Sequence, residues 1–288
     1  MDARTLTALA GVLLLWSSAF AAIGEAVRAY EPGPLALLRF VIASATLGVY
    51  ALARGMRLPD AQDLRAIVIN GLLGITIYHL LLNYGQVTVP PGAAAFLIAT
   101  APVFTALIAR MYLKERLKPW GWLGILISLA GVPPIAWGRG KGFGFDQNAL
   151  LILGAAFCSS LYFVLQKPLL KKYTALEFTT YVIWAGTLSM LFFLPAMLRQ
   201  CSAAPLHSTL LVAYLGIFPG ALAYVLWTYV LAHMPASRAV SFLYLSPVLA
   251  TLIAWLFLGE QPGWLSLAGG TLTLTGVVVV NRYGRPET

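Results

Sequence analysis

Charged side chains are scarce in this sequence of 288 residues. Asp, Glu, Lys and Arg together make up 10% of the chain, whereas 60% of it is hydrophobic and the mean hydropathy is +0.82. A soluble domain of this composition would expose large apolar patches to water. The composition therefore excludes a soluble enzyme, a nucleic-acid-binding protein and a receptor with an appended soluble domain, although the pI near 9.7 would suit an acidic partner.

Residues with specialised chemistry are also few. Cys158 falls within an apolar run and Cys201 in a short loop, so we interpret both as small apolar residues rather than as a disulfide. The three histidines and two cysteines are not grouped at metal-ligand spacing. The glycines around Lys141 lack the spacing of a nucleotide-binding phosphate loop, and no hydrolase motif occurs. We therefore expect no cofactor, no metal site and no enzymatic activity.

Long apolar runs fill the rest of the chain. A helix that crosses a bilayer needs about 20 mostly apolar residues, and the connections between the runs are too short for a separate soluble domain. The first run lacks a small-residue cleavage site and is expected to be a retained helix. We predict an all-α integral membrane protein with ten transmembrane helices at residues 6–26, 34–53, 65–84, 91–111, 119–137, 148–167, 176–198, 209–230, 237–258 and 263–282.

The cations predict how the helices are oriented. With ten spans, both termini lie on the same side of the membrane. If that side is the cytoplasm, 14 of the 19 Lys and Arg residues fall at inner ends and loops, four fall in outer loops, and Arg39 remains inside the second span. An excess of positive charge on the inside is typical of membrane proteins. We therefore expect both termini to be cytoplasmic.

An internal repeat relates the two halves of the sequence. An offset of 145 residues places Pro102 on Pro247 and Glu115 on Glu260, together with several matching glycines and tyrosines. We interpret these matches as a duplication, with an N-terminal five-helix repeat at 1–143 and a C-terminal one at 144–288. Because five is odd, the second copy enters the membrane inverted, as in transporters that open alternately to two sides. The alternative is that duplication only supplied enough helices to bury one another.

The polar groups deep in the spans are the candidate functional residues. His79 lies in the third span beside Tyr78, with Asn83 one turn later. A histidine is costly in lipid unless it faces a wet cavity or has a partner, so we interpret His79 as a cavity residue, with a structural hydrogen bond as the alternative. Its repeat equivalent is Tyr224. No Asp or Glu lies near the middle of a predicted span, so either His79 titrates at depth or transport is not coupled to an ion.

Arg39 presents a separate question. A guanidinium near the outer end of a span can extend to the membrane interface, which is the interpretation we favour from the sequence. The alternatives are that Arg39 binds a substrate carboxylate or tethers a neighbouring helix.

Aromatic residues and two prolines complete the candidate site. Aromatics near span ends are typical of an interfacial belt, whereas deeper ones either pack together or line a pocket for apolar and aromatic solutes. Pro102 and Pro247 are predicted to kink the fourth and ninth spans, as fixed bends that shape the cavity rather than as moving hinges. The predicted substrate-binding residues are Trp16, Tyr78, His79, Asn83, Phe96, Tyr162, Tyr224 and Tyr244.

Several short segments resemble a known superfamily. APVF at 101–104, followed by LKER at 113–116, has an echo in SPVL at 246–249, followed by LGE at 258–260. Together with the tryptophan segment 16–20 and the Arg-Phe pair at 39–40, these resemble the drug/metabolite transporters, and among them the ten-helix EamA-type exporters. The branch that exports aromatic and other amino acids (YddG-type) is the most similar. The resemblance implies a transporter of the bacterial inner membrane, with a central cavity built from spans one, three, four, six, eight and nine.

These observations lead to one functional hypothesis. We predict a secondary transporter that exports amino acids, aromatic and other neutral ones, or similar small metabolites by alternating access. Its partners are the small-molecule substrate and the lipid bilayer, with no nucleic acid, and a monomer would suffice. A carrier of sugar phosphates or nucleotide sugars would need several deep cations. A drug-cation exporter would need a carboxylate within the membrane, and an intramembrane enzyme would need paired acidic motifs. The sequence offers only Arg39 toward these alternatives.

Overall fold

The fold is helical throughout. The computed structural model of the chain describes residues 2–89, 91–115, 117–137, 147–249 and 264–284, and every regular element in these ranges is a helix. This confirms the prediction of an all-α protein. Glu260, one of the repeat-related residues, lies outside these ranges.

The described helices divide between the two halves of the chain. Those in the first half are α1 (Ala3–Ala26), α2 (Pro32–Ala53), α3 (Ala61–Gly85), α4 (Pro91–Ile98), α5 (Ala101–Tyr112) and α6 (Pro119–Trp137). Those in the second half are α7 (Asn148–Leu165), α8 (Ala175–Ser189), α9 (Leu191–Ala203), α10 (Leu206–His233), α11 (Ala236–Ser241) and α12 (Trp264–Tyr283). A 3-10 turn, Phe242–Tyr244, continues α11 into a helical turn at 245–249.

Local sequence signals set several helix ends. The Asp2 carboxylate accepts a hydrogen bond from the Thr5 backbone N–H at 3.0 Å and so caps α1. At the start of α8, the Glu177 N–H donates to Thr174 Oγ1 at 3.3 Å, and the Thr174 N–H donates to Glu177 Oε2 at 2.9 Å. This reciprocal capping box satisfies donors that have no partner within the helix.

The helices have the length and composition of membrane spans. Within the described residues, five are long and apolar enough to cross a bilayer: Ala3–Ala26, Pro32–Ala53, Ala61–Gly85, Asn148–Lys171 and Leu206–His233. Helices α8 and α9 together make a sixth candidate, bent by 48°. The multi-pass membrane architecture is therefore confirmed, while the count of ten spans stays a prediction.

The bend between α8 and α9 has a local cause. We predicted one continuous span at 176–198, but α8 ends at Ser189 and a 3-10 turn, Leu191–Phe193, follows. Pro195 lies in the first turn of the α-helix that follows, where its missing N–H leaves no hydrogen bond unmade. The proline thus favours a new helix start at this point over a straight continuation.

Two of the long helices contain a π-helical turn. One is Leu72–Ile77 in α3 and the other is Gly216–Leu222 in α10. Pro219, inside the second turn, cannot donate a backbone hydrogen bond, which accounts for the irregularity there. Gly74 and Pro219, one from each turn, are related by the 145-residue offset. π-helical turns are rare in proteins, and those that occur are often found at functional sites.

Small residues let α6 and α12 cross closely. A Cβ atom added at Gly124 would lie 2.8 Å from the Gly276 carbonyl oxygen, and one at Gly131 would lie 2.6 Å from that of Gly269. Only glycine fits these positions without a shift of the backbone. Because the residue numbers fall along one helix as they rise along the other, the two helices run antiparallel.

The outer surface is apolar. Large hydrophobic side chains such as Leu52 and Met111 are 86% and 84% exposed. In water such a surface would drive association, whereas in a bilayer it meets lipid chains. The buried interior, by contrast, includes polar residues such as Arg39, His79 and Asn83.

Candidate functional site

A cavity lies among α1, α2, α3, α4, α7 and α10. Ala99 and Ala101, at the break between α4 and α5, and Leu243 and Ser246, after α11, complete its wall. The wall therefore combines residues from all six spans implied by the family resemblance with Arg39 from the second span.

Aromatic rings from three helices form one side of the cavity. The Trp16 ring packs edge-on against Tyr224 with centroids 5.5 Å apart, and it stacks against Phe163 at 6.3 Å. The Tyr162 ring lies 6.1 Å from Tyr224. Such pairs hold the rings in defined positions and contribute beyond the area they bury. The surface they form suits an apolar or aromatic solute.

His79 combines a structural contact with a place in the wall. Its Nδ1 lies 2.8 Å from the Ile75 carbonyl oxygen. A carbonyl oxygen only accepts, so Nδ1 must carry the hydrogen. In the neutral ring, Nε2 is then an acceptor, and it has no hydrogen-bond partner among the described residues. The ring packs edge-on against Phe40 and Tyr78, with centroids 4.4 and 4.6 Å away.

Aromatic side chains of the cavity wall also form hydrogen bonds to the two π-helical turns. The Tyr224 hydroxyl donates to the Gly74 carbonyl oxygen at 3.0 Å. The Trp16 indole N–H donates to the Pro219 carbonyl oxygen at 3.2 Å. Irregular turns leave backbone groups that must find partners inside a membrane protein. Both bonded carbonyls hold the same position in the two halves of the sequence, and each is bonded by a residue of the cavity wall.

Arg39 is a buried cation in this wall. It is 3% exposed and lies seven residues, about 10 Å, inside α2. Its Nε atom has no hydrogen-bond partner, and the ion pairs of the described residues, Arg28 with Glu25 and Lys172 with Asp60 and Asp63, do not involve it. The guanidinium is thus buried in the protein, and our expectation that it extends to the membrane interface was wrong.

The structure brings together most of the predicted binding residues. Trp16, Tyr78, His79, Tyr162 and Tyr224 all line the cavity. Phe96 belongs to α4, but its side chain lies outside the part of the structure that is described.

Two predicted binding residues lie elsewhere. The Asn83 side-chain amide donates to the Pro32 carbonyl oxygen at 3.1 Å and so ties α3 to the start of α2. Tyr244 is fully buried in a separate hydrophobic cluster that includes Ile125 and Val277. In both cases the side chain packs against a neighbouring helix instead of the cavity.

Some wall residues were absent from the predicted set. Phe20 lies one helical turn after Trp16, and Phe163 lies one turn after Ser159. The spacing of four residues from Trp16 was an available signal for Phe20, whereas Phe163 has no predicted binding residue one turn away. Ser246 carried no such signal, because its position depends on the irregular turn before it.

Pro102 and Pro247 lie beside this irregular backbone. The predicted fourth span is broken at Ala99 and Thr100, and Pro102 lies in the first turn of α5. The Ser160 hydroxyl, 3.0 Å from the Ala101 carbonyl oxygen, bridges α7 to the break. Pro247 lies in the helical turn at 245–249. That both prolines act as fixed bends rather than as moving hinges stays a prediction.

Glu115 links the two halves outside the cavity. Its carboxylate accepts from the backbone N–H groups of Ala236 and Ser237 at 3.0 and 3.2 Å and from the Ser237 hydroxyl at 2.7 Å. Lys114, in the left-handed backbone region with φ of 57°, turns the chain so that Glu115 reaches the start of α11. Glu115 therefore caps the N-terminus of α11.

Comparison with known proteins identifies the family. A profile of the EamA-like transporter family matches residues 4–135 and 147–282. The chain belongs to the EamA-like transporter family. The resemblance found in the sequence is thereby confirmed.

Three relatives and one solved structure are similar over most of their length. The uncharacterized transporter YdfC of Bacillus subtilis is 44% identical, over 91% of this chain and 86% of that one. A probable terminal-alkyne amino-acid exporter of Streptantibioticus cattleyicolor is 38% identical, over 97% and 94%. The uncharacterized inner membrane transporter YedA of Escherichia coli is 28% identical, over 94% and 89%. One crystal structure aligns with this EamA-family transporter at a TM-score of 0.78 and 26% sequence identity. The alignment covers 98% of this chain and 99% of the other.

Proposed function

We propose that this transporter exports amino acids, aromatic and other neutral ones, across the bacterial inner membrane. The observation that carries the proposal is the cavity, where the rings of Trp16, Tyr162 and Tyr224 surround a space that also receives the polar side chain of His79. A neutral amino acid has the matching halves, an apolar side chain and a polar backbone end. The 38% identical relative is described as a probable amino-acid exporter, which supports the same substrate class.

An inverted repeat would give this cavity two exits. The proposal includes ten spans in two halves, at 1–143 and 144–288, and the two separate ranges that the family profile matches support this division. Helices α6 and α12, which are related by the 145-residue offset, run antiparallel, and the two π-helical turns also hold equivalent positions. An axis in the membrane plane produces this arrangement. With both termini cytoplasmic, rocking of one half against the other would expose the cavity alternately.

Both halves contribute to the same cavity, so one chain contains the whole proposed site, which supports a monomer as the transporting unit. Trp16 and Tyr78 come from the first half and Tyr162 and Tyr224 from the second. The hydrogen bonds across the cavity, such as that from Tyr224 to the Gly74 carbonyl oxygen at 3.0 Å, are isolated ones that a relative movement can break and remake. Arg39 is the sole Lys or Arg in the described wall, which does not favour a sugar-phosphate carrier.

Reconstitution into liposomes tests the proposal. Uptake of labelled phenylalanine, tyrosine, leucine and alanine is measured with and without a pH gradient, against empty liposomes. We expect flux of the aromatic and large neutral amino acids. Trp16→Ala should reduce it, whereas Trp264→Ala, at a tryptophan that is 74% exposed, should not. Absence of flux for every amino acid would overturn the substrate assignment, and equal flux under both conditions would indicate facilitated diffusion.

A further inference from the structure

We infer that Arg39 binds the carboxylate of the transported amino acid, so that a free α-carboxylate is what this transporter requires of its substrate. The inference rests on the proposed function and names the substrate group that the site recognises. It starts from the position of Arg39, which is 3% exposed yet lines the cavity.

The groups around Arg39 supply no negative charge at neutral pH. The titratable groups that act on the guanidinium are the phenols of Tyr78, Tyr214 and Tyr224 and the imidazole of His79. Phenols of ordinary acidity are neutral at pH 7. Within the described residues, no Asp or Glu forms an ion pair with Arg39. A buried cation without a counter-charge is costly, and an anionic ligand removes that cost.

Close helix packing fixes the backbone at Arg39, and an aromatic ring contacts its guanidinium. A Cβ atom at Gly216 would lie 2.7 Å from the Arg39 carbonyl oxygen, so the π-helical turn of α10 packs directly on α2 at this residue. The guanidinium carbon lies 5.3 Å from the centre of the Phe40 ring. A cation held against an aromatic face loses little freedom on binding. The planar guanidinium can then donate two parallel hydrogen bonds to a carboxylate.

The rest of the wall suits the other end of a zwitterion. In its neutral form, His79 presents Nε2 as an acceptor, because Nδ1 donates to the Ile75 carbonyl oxygen at 2.8 Å. An ammonium group can donate to such a nitrogen and can also rest on aromatic faces. An amino acid with its carboxylate at Arg39 would have its ammonium group against the same cavity wall and its side chain among the aromatic rings. An amine without a carboxylate would leave Arg39 unpaired.

Binding of matched ligands tests the inference. The dissociation constants of L-phenylalanine, L-phenylalaninamide and phenethylamine are measured with the purified full-length protein in detergent. The wild type should bind the amino acid at least about tenfold more tightly than the amide or the amine, as expected for charge-assisted hydrogen bonds. Arg39→Gln should abolish this preference, and Arg39→Lys should retain part of it. Arg110→Gln, at an exposed arginine of α5, should leave it unchanged.

The ratio of affinities separates the possible failures. A merely structural role for Arg39 would weaken acid and amide alike and leave their ratio intact. If the wild type binds acid and amide equally, the inference is wrong while the proposed function stands. If the wild type neither binds nor transports any amino acid, the proposed function is wrong and the inference falls with it. The wild-type comparison decides the point even if an Arg39 variant does not fold.

Discussion

Ser128 and Thr273 each place a hydroxyl against the backbone carbonyl of the other. Ser128 Oγ lies 3.2 Å from the Thr273 carbonyl oxygen, and Thr273 Oγ1 lies 3.5 Å from that of Ser128. The two residues are 145 positions apart, so they are equivalent in the proposed repeat. Equivalent residues can contact each other reciprocally only where the axis relating the two halves passes between them. In the proposed repeat, the axis would therefore pass through the crossing of α6 and α12.

Replacing a glycine at this crossing should destabilise the protein. A Cβ atom at Gly276 would lie 2.5 Å from the Gly124 carbonyl oxygen, and the backbone has to move to admit it. We expect Gly276→Ala to lower the free energy of unfolding by about 1–3 kcal/mol, measured by thermal unfolding in detergent. Gly270→Ala on the same helix is the control, because its Cβ atom would lie 3.8 Å from Val248. Equal melting temperatures for the two variants would contradict the close crossing.

Tyr224→Phe should destabilise the cavity wall while keeping the aromatic ring. The variant loses the 3.0 Å hydrogen bond to the Gly74 carbonyl oxygen in the π-helical turn of α3. A buried acceptor left without its donor costs about 1–3 kcal/mol, so both the melting temperature and the transport rate should fall. Tyr84→Phe, at a tyrosine that is 44% exposed, is the matched control. If Tyr224→Phe behaves like Tyr84→Phe, the bond does not stabilise the turn.

His79→Ala should lower transport while folding and membrane insertion remain intact. The reason is that His79 lines the cavity, whereas its only hydrogen bond to a described residue runs within its own helix, from Nδ1 to the Ile75 carbonyl oxygen. His233→Ala is the matched control. The His233 Nδ1 atom also lies 2.8 Å from the carbonyl oxygen four residues earlier, that of Tyr229, but His233 is at an exposed helix end. Transport is measured in liposomes at equal protein content. Wild-type rates in His79→Ala would remove this residue from the site.

Glu115→Ala should loosen the contact between the end of α5 and the start of α11. The change removes three hydrogen bonds to Ala236 and Ser237 and a negative charge at a helix N-terminus. Loss of such a cap costs about 1–2 kcal/mol, which thermal unfolding can detect. Glu25→Ala is the control, because the exposed pair of Glu25 with Arg28 contributes little. If both variants unfold alike, Glu115 has no capping role.

The candidate site was partly predictable because deep polar and aromatic residues are rare in spans. His79, Trp16 and Tyr224 are predicted from their depth, Tyr224 also as the repeat equivalent of His79, and all three line the cavity. Asn83 was chosen in the same way, one turn after His79, but it lies beyond the cavity and bonds to Pro32 instead. Depth and helical face therefore selected a set of candidates without indicating where along the helix the cavity ends.

By itself the sequence determined the class of protein, its helical structure and its family, because hydropathy, span length and the repeated Pro-to-Glu segments depend only on composition and order. Tertiary structure alone decided that Arg39 joins the cavity wall while Asn83 and Tyr244 lie outside it. The physical reason is that membrane spans are apolar on nearly every face, so their sequence does not specify how each helix is rotated about its axis. That rotation is set by close contacts between helices, such as those at Gly216 and Gly276.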